Sequence, residues 1–231
     1  MCLGEQVANI RLPAAGLRRC LISCLVFATG LCGDAIAIAQ VNYSSAVLYP
    51  LLPPNDPTFG NETATASVAG QTVGYVYDTA GMGEDDAYLW SDATSTPISL
   101  NPVGFSQSFA WATDGEQQVG DGFIEVTYKD HALLWSCTAA SAVDLNPVGI
   151  TTSQAFGISG NQQVGYGAGS ATGGPDHALL WYGTAASAID LNPAGVELSQ
   201  ALGTDGANQV GFSYVDGHVH ALVHCHTMIL G

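Results

Sequence analysis

The stretch His177–Pro193, "HALLWYGTAASAIDLNP", restates His131–Pro147, "HALLWSCTAASAVDLNP", with three differences in seventeen positions: Ser136/Tyr182, Cys137/Gly183 and Val143/Ile189. This is duplication, and a fixed period must be settled before any local reading, because it decides the whole fold. Three markers agree on it. Val73, Val119, Val164 and Val210, each followed by Gly, are spaced by 46, 45 and 46 residues. The strand "HALLW" recurs as "DAYLW" at 86–90 and "HALVH" at 220–224, and "DLNP" at 144–147 and 190–193 recurs as "SLNP" at 99–102. Four units follow, about 58–102, 103–147, 148–193 and 194–231, the last incomplete.

Within the third unit, "SQAFGIS" (153–159), "QQVGYG" (162–167), "HALLWYG" (177–183) and "SAIDL" (187–191) read as short strands separated by Gly, Asn, Asp and Pro. Nothing sustains a helical period. Four short antiparallel strands per unit of this length match one blade of a β-propeller, and blades bury both faces, which fits strands that are apolar on both sides. The expected fold is therefore all-β and β-propeller-like, about four blades of four short antiparallel strands, in a single repeat domain over 40–231. "SAVLYP" at 45–50 resembles the fourth strand "SAVDLNP" at 141–147 and is a candidate to complete the last unit and close the ring. A chain truncated from a longer parent is the competing reading.

Residues 1–39 read as a signal peptide, with Arg11, Arg18 and Arg19, an apolar run from about Cys20 to Cys32, and Ala37-Ile38-Ala39 before Gln40. The run is short for a membrane span, so none is expected in the mature chain. The arginines weakly resemble a twin-arginine signal and Leu21–Cys24 a lipobox. Cleavage would leave Lys129 as the one base against eighteen carboxylates, which argues against nucleic acid as a partner. It would also leave Cys137 and Cys225 as the only cysteines, too few for a disulfide framework.

"HALLW" after a Gly-rich loop, preceded by "QQVGYG" and followed by "DLNP", resembles the HAF-type extracellular repeat over roughly residues 60–231. The resemblance implies an exported bacterial protein of propeller-like β structure and says almost nothing about ligand. This chain has Leu where the family name has Phe, and Asp86 where the His would stand.

His131, His177 and His220 recur at one register, and recurrence favours a strap within each repeat, to Asp144 and Asp190, over a catalytic array. Trp90, Trp135 and Trp181 likewise read as packing between sheets rather than as a sugar platform. The non-repeated constellation with ligand chemistry is His218, His220, His224 and His226, which share one face of an extended strand and are the candidate metal ligands, for zinc or copper. Acidic loops holding Glu84, Asp85, Asp86, Glu125, Asp130, Asp176 and Asp216 offer oxygen ligands for calcium, without a calcium-loop spacing. No catalytic signature is present, and no catalytic residue or cofactor is assigned. The expected function is a secreted or periplasmic, monomeric, non-enzymatic module that binds a ligand such as a glycan or cell-surface component. A polysaccharide hydrolase or lyase on the same scaffold, and a structural fragment, are the alternatives.

Overall fold

The computed structural model describes residues 59–78, 85–91 and 96–225, with backbone alone for Phe59–Asn61, Asp78 and Cys225. The chain divides after Tyr49 into two units, and all the described residues lie in the second, Pro50–Gly231. The expectations placed on residues 1–39, on 45–50, on Glu84 and on His226 fall outside the described residues. Among the described residues no helix is long and apolar enough to cross a membrane.

Four antiparallel sheets follow one another along the chain. The first holds β1 (Phe59–Val68), β2 (Gln71–Asp78), β3 (Asp86–Trp90) and β4 (Ile98–Ser99). The second holds β5 (Gln107–Thr113), β6 (Gln118–Ile124), β7 (Lys129–Trp135) and β8 (Val143–Asp144). The third holds β9 (Ile150–Ser159), β10 (Gln162–Gly169), β11 (His177–Trp181) and β12 (Ile189–Asp190). The fourth has three described strands, β13 (Leu198–Thr204), β14 (Asn208–Val215) and β15 (His218–Cys225). Each sheet is a simple meander, and β1, β5, β9 and β13, the first strands, meet in succession. This is the all-β, propeller-like arrangement that the period of about 46 residues predicts.

Turn chemistry sets the hairpins. Ala69-Gly70 and Asp216-Gly217 both take positive φ at two successive residues, the geometry that suits the twist of the flanking strands in a two-residue loop. The fourth strand is shorter than its sequence suggests: Ile189–Asp190 replaces the expected 187–191, because Ala185–Ser187 closes a single 3-10 turn. There the Ser187 hydroxyl accepts from Tyr182 N at 2.8 Å and donates to Thr184 O at 2.6 Å, local bonds that compete with a ladder. Ser141 does the same in the second sheet.

The sheets interlock through one repeated face. Val73, Ala87, Leu89 and Leu100 of the first sheet pack on Ala110, Leu133 and Trp135 of the second. Val119, Ala132, Leu134 and Leu145 meet Ala155, Leu179 and Trp181 of the third, and Val164, Ala178, Leu180 and Leu191 meet Ala201 of the fourth. Trp135 and Trp181 are buried between sheets as expected, Trp90 is buried too, and each of the three buries its indole Nε1 without an acceptor. Burying one such indole removes roughly 200 Å² from water, about 5 kcal/mol of favourable transfer, which outweighs one unmade hydrogen bond. The fourth sheet departs from the pattern. Val210 is 49% exposed and its cross-strand partner Val223 61%, where Val73, Val119 and Val164 are fully buried. In the other three sheets this face is covered by the sheet that follows.

Candidate functional site

Strand direction puts the β2–β3, β6–β7, β10–β11 and β14–β15 connections at one end of the sheets. They span 79–85, 125–128, 170–176 and 216–217, so this loop face is where the repeats differ most. An open groove of about 670 Å³ lies there, lined by Lys129, Thr151, Thr152, Ser170 and the glycines Gly169, Gly173 and Gly174.

The repeated histidines are straps. His131 Nδ1 lies 2.8 Å from Asp144 Oδ2, and His177 Nδ1 lies 2.7 Å from Asp190 Oδ2. Asn146 Nδ2 faces His131 Nε2 at 3.4 Å, and Asn192 Nδ2 faces His177 Nε2 at 3.3 Å, so both ring nitrogens of each histidine have a partner within the repeat. The same asparagines accept from Ser153 and Ser199 of the next sheet, whose hydroxyls accept in turn from Ala132 N and Ala178 N. Each strap therefore ties a third strand, a fourth strand and the following sheet together. In the first unit Asp86 and Ser99 replace the His–Asp pair, Ser108 still accepts from Ala87 N, and Asn101 Oδ1 is left buried without a partner. Replacing His177 with Ala should cost about 1 kcal/mol, modest because Asp190 is half-exposed. Chemical unfolding with zinc or with a chelator should leave that difference unchanged, whereas a difference that appears only with metal would make the histidine a ligand.

His218, His220 and His224 stand exposed at even positions of β15, on one face as the spacing predicts, with Leu222 between the last two. Neighbouring alternate positions are a two-residue rise apart along an extended strand, roughly 7 Å. Among the described residues no group of three His, Cys, Asp or Glu is close enough to hold a metal, and the acidic loops do not form one either. Cys137 carries a free thiol.

The repeated Val-Gly positions read from the sequence as turn chemistry and close backbone packing, and the close approach is there, but the aromatic site it builds was not foreseen. The Gly of each Val-Gly pair has no side chain because a first-strand carbonyl occupies its place. A Cβ built on Gly74, Gly120, Gly165 or Gly211 would lie 1.8–1.9 Å from the oxygen of Thr63, Phe109, Gln154 or Gln200. The first strand bulges there, and the extra residues are Thr65, Trp111, Phe156 and Leu202. Such bulges re-aim side chains, and two of these are aromatic. Trp111 meets Phe156 of the next sheet at 6.3 Å between ring centroids, Tyr75 of the preceding one at 5.7 Å, and stacks on Phe109 at 5.8 Å. Phe156 meets Tyr166 at 5.8 Å. None of the five rings is fully buried.

The residue after each Val-Gly pair is Tyr75, Asp121, Tyr166 or Phe212. One unit thus carries a carboxyl where the others carry a ring, and that carboxyl is 1% exposed. Trp111 Nε1 donates to Asp121 Oδ1. Burial pushes the Asp121 carboxyl up to about 7, helped by the charge of Asp130 and opposed by the Trp111 hydrogen bond. Burial also raises Asp130, against the pull of His131 and Lys129. Tyr166 is pushed up to about 12 by burial and then by Asp176, Asp121 and Asp130. The second and third sheets thus place a buried ionisable acid beside aromatic rings, with other carboxyls near enough to act on it. A strongly perturbed acid at a position where one repeat breaks the pattern marks a candidate site. The signal was present in the sequence as the single Asp in the series Tyr, Asp, Tyr, Phe.

No family model matches the chain, and no curated protein does. Among solved structures, one named for TolB of Agrobacterium tumefaciens is similar over 68% of this chain, at 14% identity and a TM-score of 0.48. The match spans 57% of that structure's own chain. The fold assignment rests on the strand order and register given above.

Proposed function

We propose that this chain is an exported, propeller-like binding module rather than an enzyme, and that its ligand approaches from the loop face and meets the rings around Asp121. The observation that carries the reading is Asp121 itself: it stands where the sister units carry a ring, and it lies among partly exposed aromatics. The secretory signature at 1–39 and the HAF-type resemblance support export. A glycan or another cell-surface component is the class of ligand expected of such a module.

A second reading draws on the same residue. A carboxyl held near neutrality is what a glycosidase general acid requires, and Asp130 would be its companion. One experiment separates the two. The secreted protein and its Trp111→Ala variant, checked for equal folding by circular dichroism, are screened against soluble glycans and cell-wall fragments by tryptophan fluorescence and by product analysis. The binding module predicts a ligand that the variant loses at least about tenfold, with no product. Turnover that disappears in Asp121→Asn would establish the hydrolase instead, and a ligand indifferent to Trp111 would move the site elsewhere.

A further inference from the structure

Asp121 presents a problem of charge. Its carboxyl is almost wholly buried, yet among the described residues it makes no ion pair. The sequence offers little to remedy this. After residue 39 the one base is Lys129, which pairs with Ile124 at the loop-face end of β6, while Asp121 pairs with Ala132 three positions deeper. Among the described residues no side chain forms an ion pair with Asp121, so a cationic ligand could supply the countercharge when it ionises.

The surroundings restrict what that countercharge can be. A metal ion needs several oxygen, nitrogen or sulfur ligands at once, and the described residues supply no such group here. They supply ring faces instead. Trp111 is held by its hydrogen bond to Asp121, with Phe109 stacked on it and Tyr75 and Phe156 in T-shaped contact with it. Tyr166 continues the row from Phe156. Aromatic faces attract a cation through the ring quadrupole within about 6 Å of the centroid, best when the cation is weakly hydrated and its shell is already alkyl. Asp130 and Asp176 add a negative field on the same side, as their effect on Tyr166 records. Partly exposed rings with carboxyls close by favour an organic cation over either a metal or a neutral sugar.

We infer that the inner strands of the second and third sheets bind a ligand through an alkylated ammonium group, seated on the faces of Trp111, Phe156 and Tyr166 and balanced by the Asp121 carboxylate. The inference rests on the binding-module reading and names the chemistry of its ligand. Trp111 positions the charge and reports it, and Asp121 supplies the balance. Binding favours the ionised form of Asp121, so a ligand bound near neutral pH should release protons, and affinity should rise with pH through about 7 and then level off. The titratable groups facing Asp121 are Asp130 from β7 and Tyr166 from β10, with Asp176, His131 and Lys129 acting on those two.

The test is titration of the intact secreted protein with choline and with its neutral isostere 3,3-dimethylbutan-1-ol, followed by tryptophan fluorescence and by calorimetry in two buffers of different ionisation enthalpy. The expected result is choline binding about tenfold tighter than the isostere, with proton release at neutral pH, and about tenfold weaker in Asp121→Asn. Asp121→Asn keeps the acceptor for Trp111, and Trp111→Phe, which keeps a ring, gives a second and milder loss. Equal affinity for the two probes, an Asp121→Asn variant that binds choline as well as the native chain, or no choline binding at millimolar concentration would each overturn the inference. A neutral glycan that perturbs Trp111 where choline does not would do so while leaving the binding module intact. Turnover of a glycan would remove both.

Discussion

Replacing Asp121 with Asn should make the protein more stable at pH 8 than the native chain, and that advantage should vanish or reverse at pH 4.5. The carboxyl has an ordinary value of 3.8 and is pushed up to about 7 in the folded chain. Between those values the folded state holds a proton that the unfolded state has released. The slope of unfolding free energy with pH is set by protons bound unfolded minus folded, so it is negative in this window. The contribution is fully present below about 4 and is lost as pH rises through about 7. A rise of that size corresponds to a ceiling on the order of 4 kcal/mol. Asn accepts from Trp111 as the carboxyl does but has no charge to bury, so it escapes that loss and gives up only what its amide hydrogens cost, about 1–3 kcal/mol, at every pH. Urea unfolding of both proteins at the two pH values isolates the effect, because the other carboxylates are common to both and cancel. Parallel pH profiles would mean that Asp121 ionises in place without penalty.

Such a gain would itself bear on function. A residue that weakens the native protein at neutral pH, in a position where Tyr or Phe packs in the sister repeats, is not maintained by the requirements of folding. Sites that give up stability for a charged group in an apolar setting are where binding or catalysis is to be sought. The histidine straps behave in the opposite way. His131 and His177 have every hydrogen-bonding atom satisfied within the repeat, and removing either should only loosen the join between sheets.

The repeats and the site were legible to different degrees for a physical reason. Each sheet has to bury the same face against the next, so the same Val, Ala, Leu and Trp recur at one spacing, and a spacing is visible in one dimension. The pairing of His131 with Asp144 was equally readable, because both partners lie in one repeat on neighbouring strands. The continuation through Asn146 to Ser153 crosses between sheets and was not seen. Asp121 was hidden for the same reason. Its partner Trp111, and Phe156 beyond it, belong to bulges in two different sheets, and the close backbone packing that the Val-Gly glycines signal does not say which residue the bulge re-aims. The loss of the His–Asp pair in the first unit was visible, but not its consequence at Asn101.

Those glycines carry the largest effect expected of any single substitution: Gly165→Ala should abolish cooperative folding. Gly165 sits in the middle of β10, between β9 and β11, and its φ is not in the left-handed region, so the backbone itself would tolerate alanine. Space is what forbids it. The added Cβ would lie 1.9 Å from Gln154 O and 2.8 Å from Ala155 Cα. Both belong to a strand that is laddered to β10 on either side of the bulge and packed on the second sheet through Ala155, so neither can withdraw as the end of a flexible side chain could. Relieving the contact means undoing the bulge at Phe156 and shifting the register of β9, which would turn its buried face outward. A loss of about 4 kcal/mol or more is expected, a large part of a small domain's stability. Gly160→Ala is the matched control. Gly160 has nothing within 4 Å of its Cβ position but does have φ +56, so alanine there meets only the left-handed backbone penalty, about 1 kcal/mol. Thermal unfolding of the two variants beside the native chain decides the matter. If Gly165→Ala melts within a few degrees of native, the bulge is dispensable, and the aim of Phe156 towards Trp111 would need another cause.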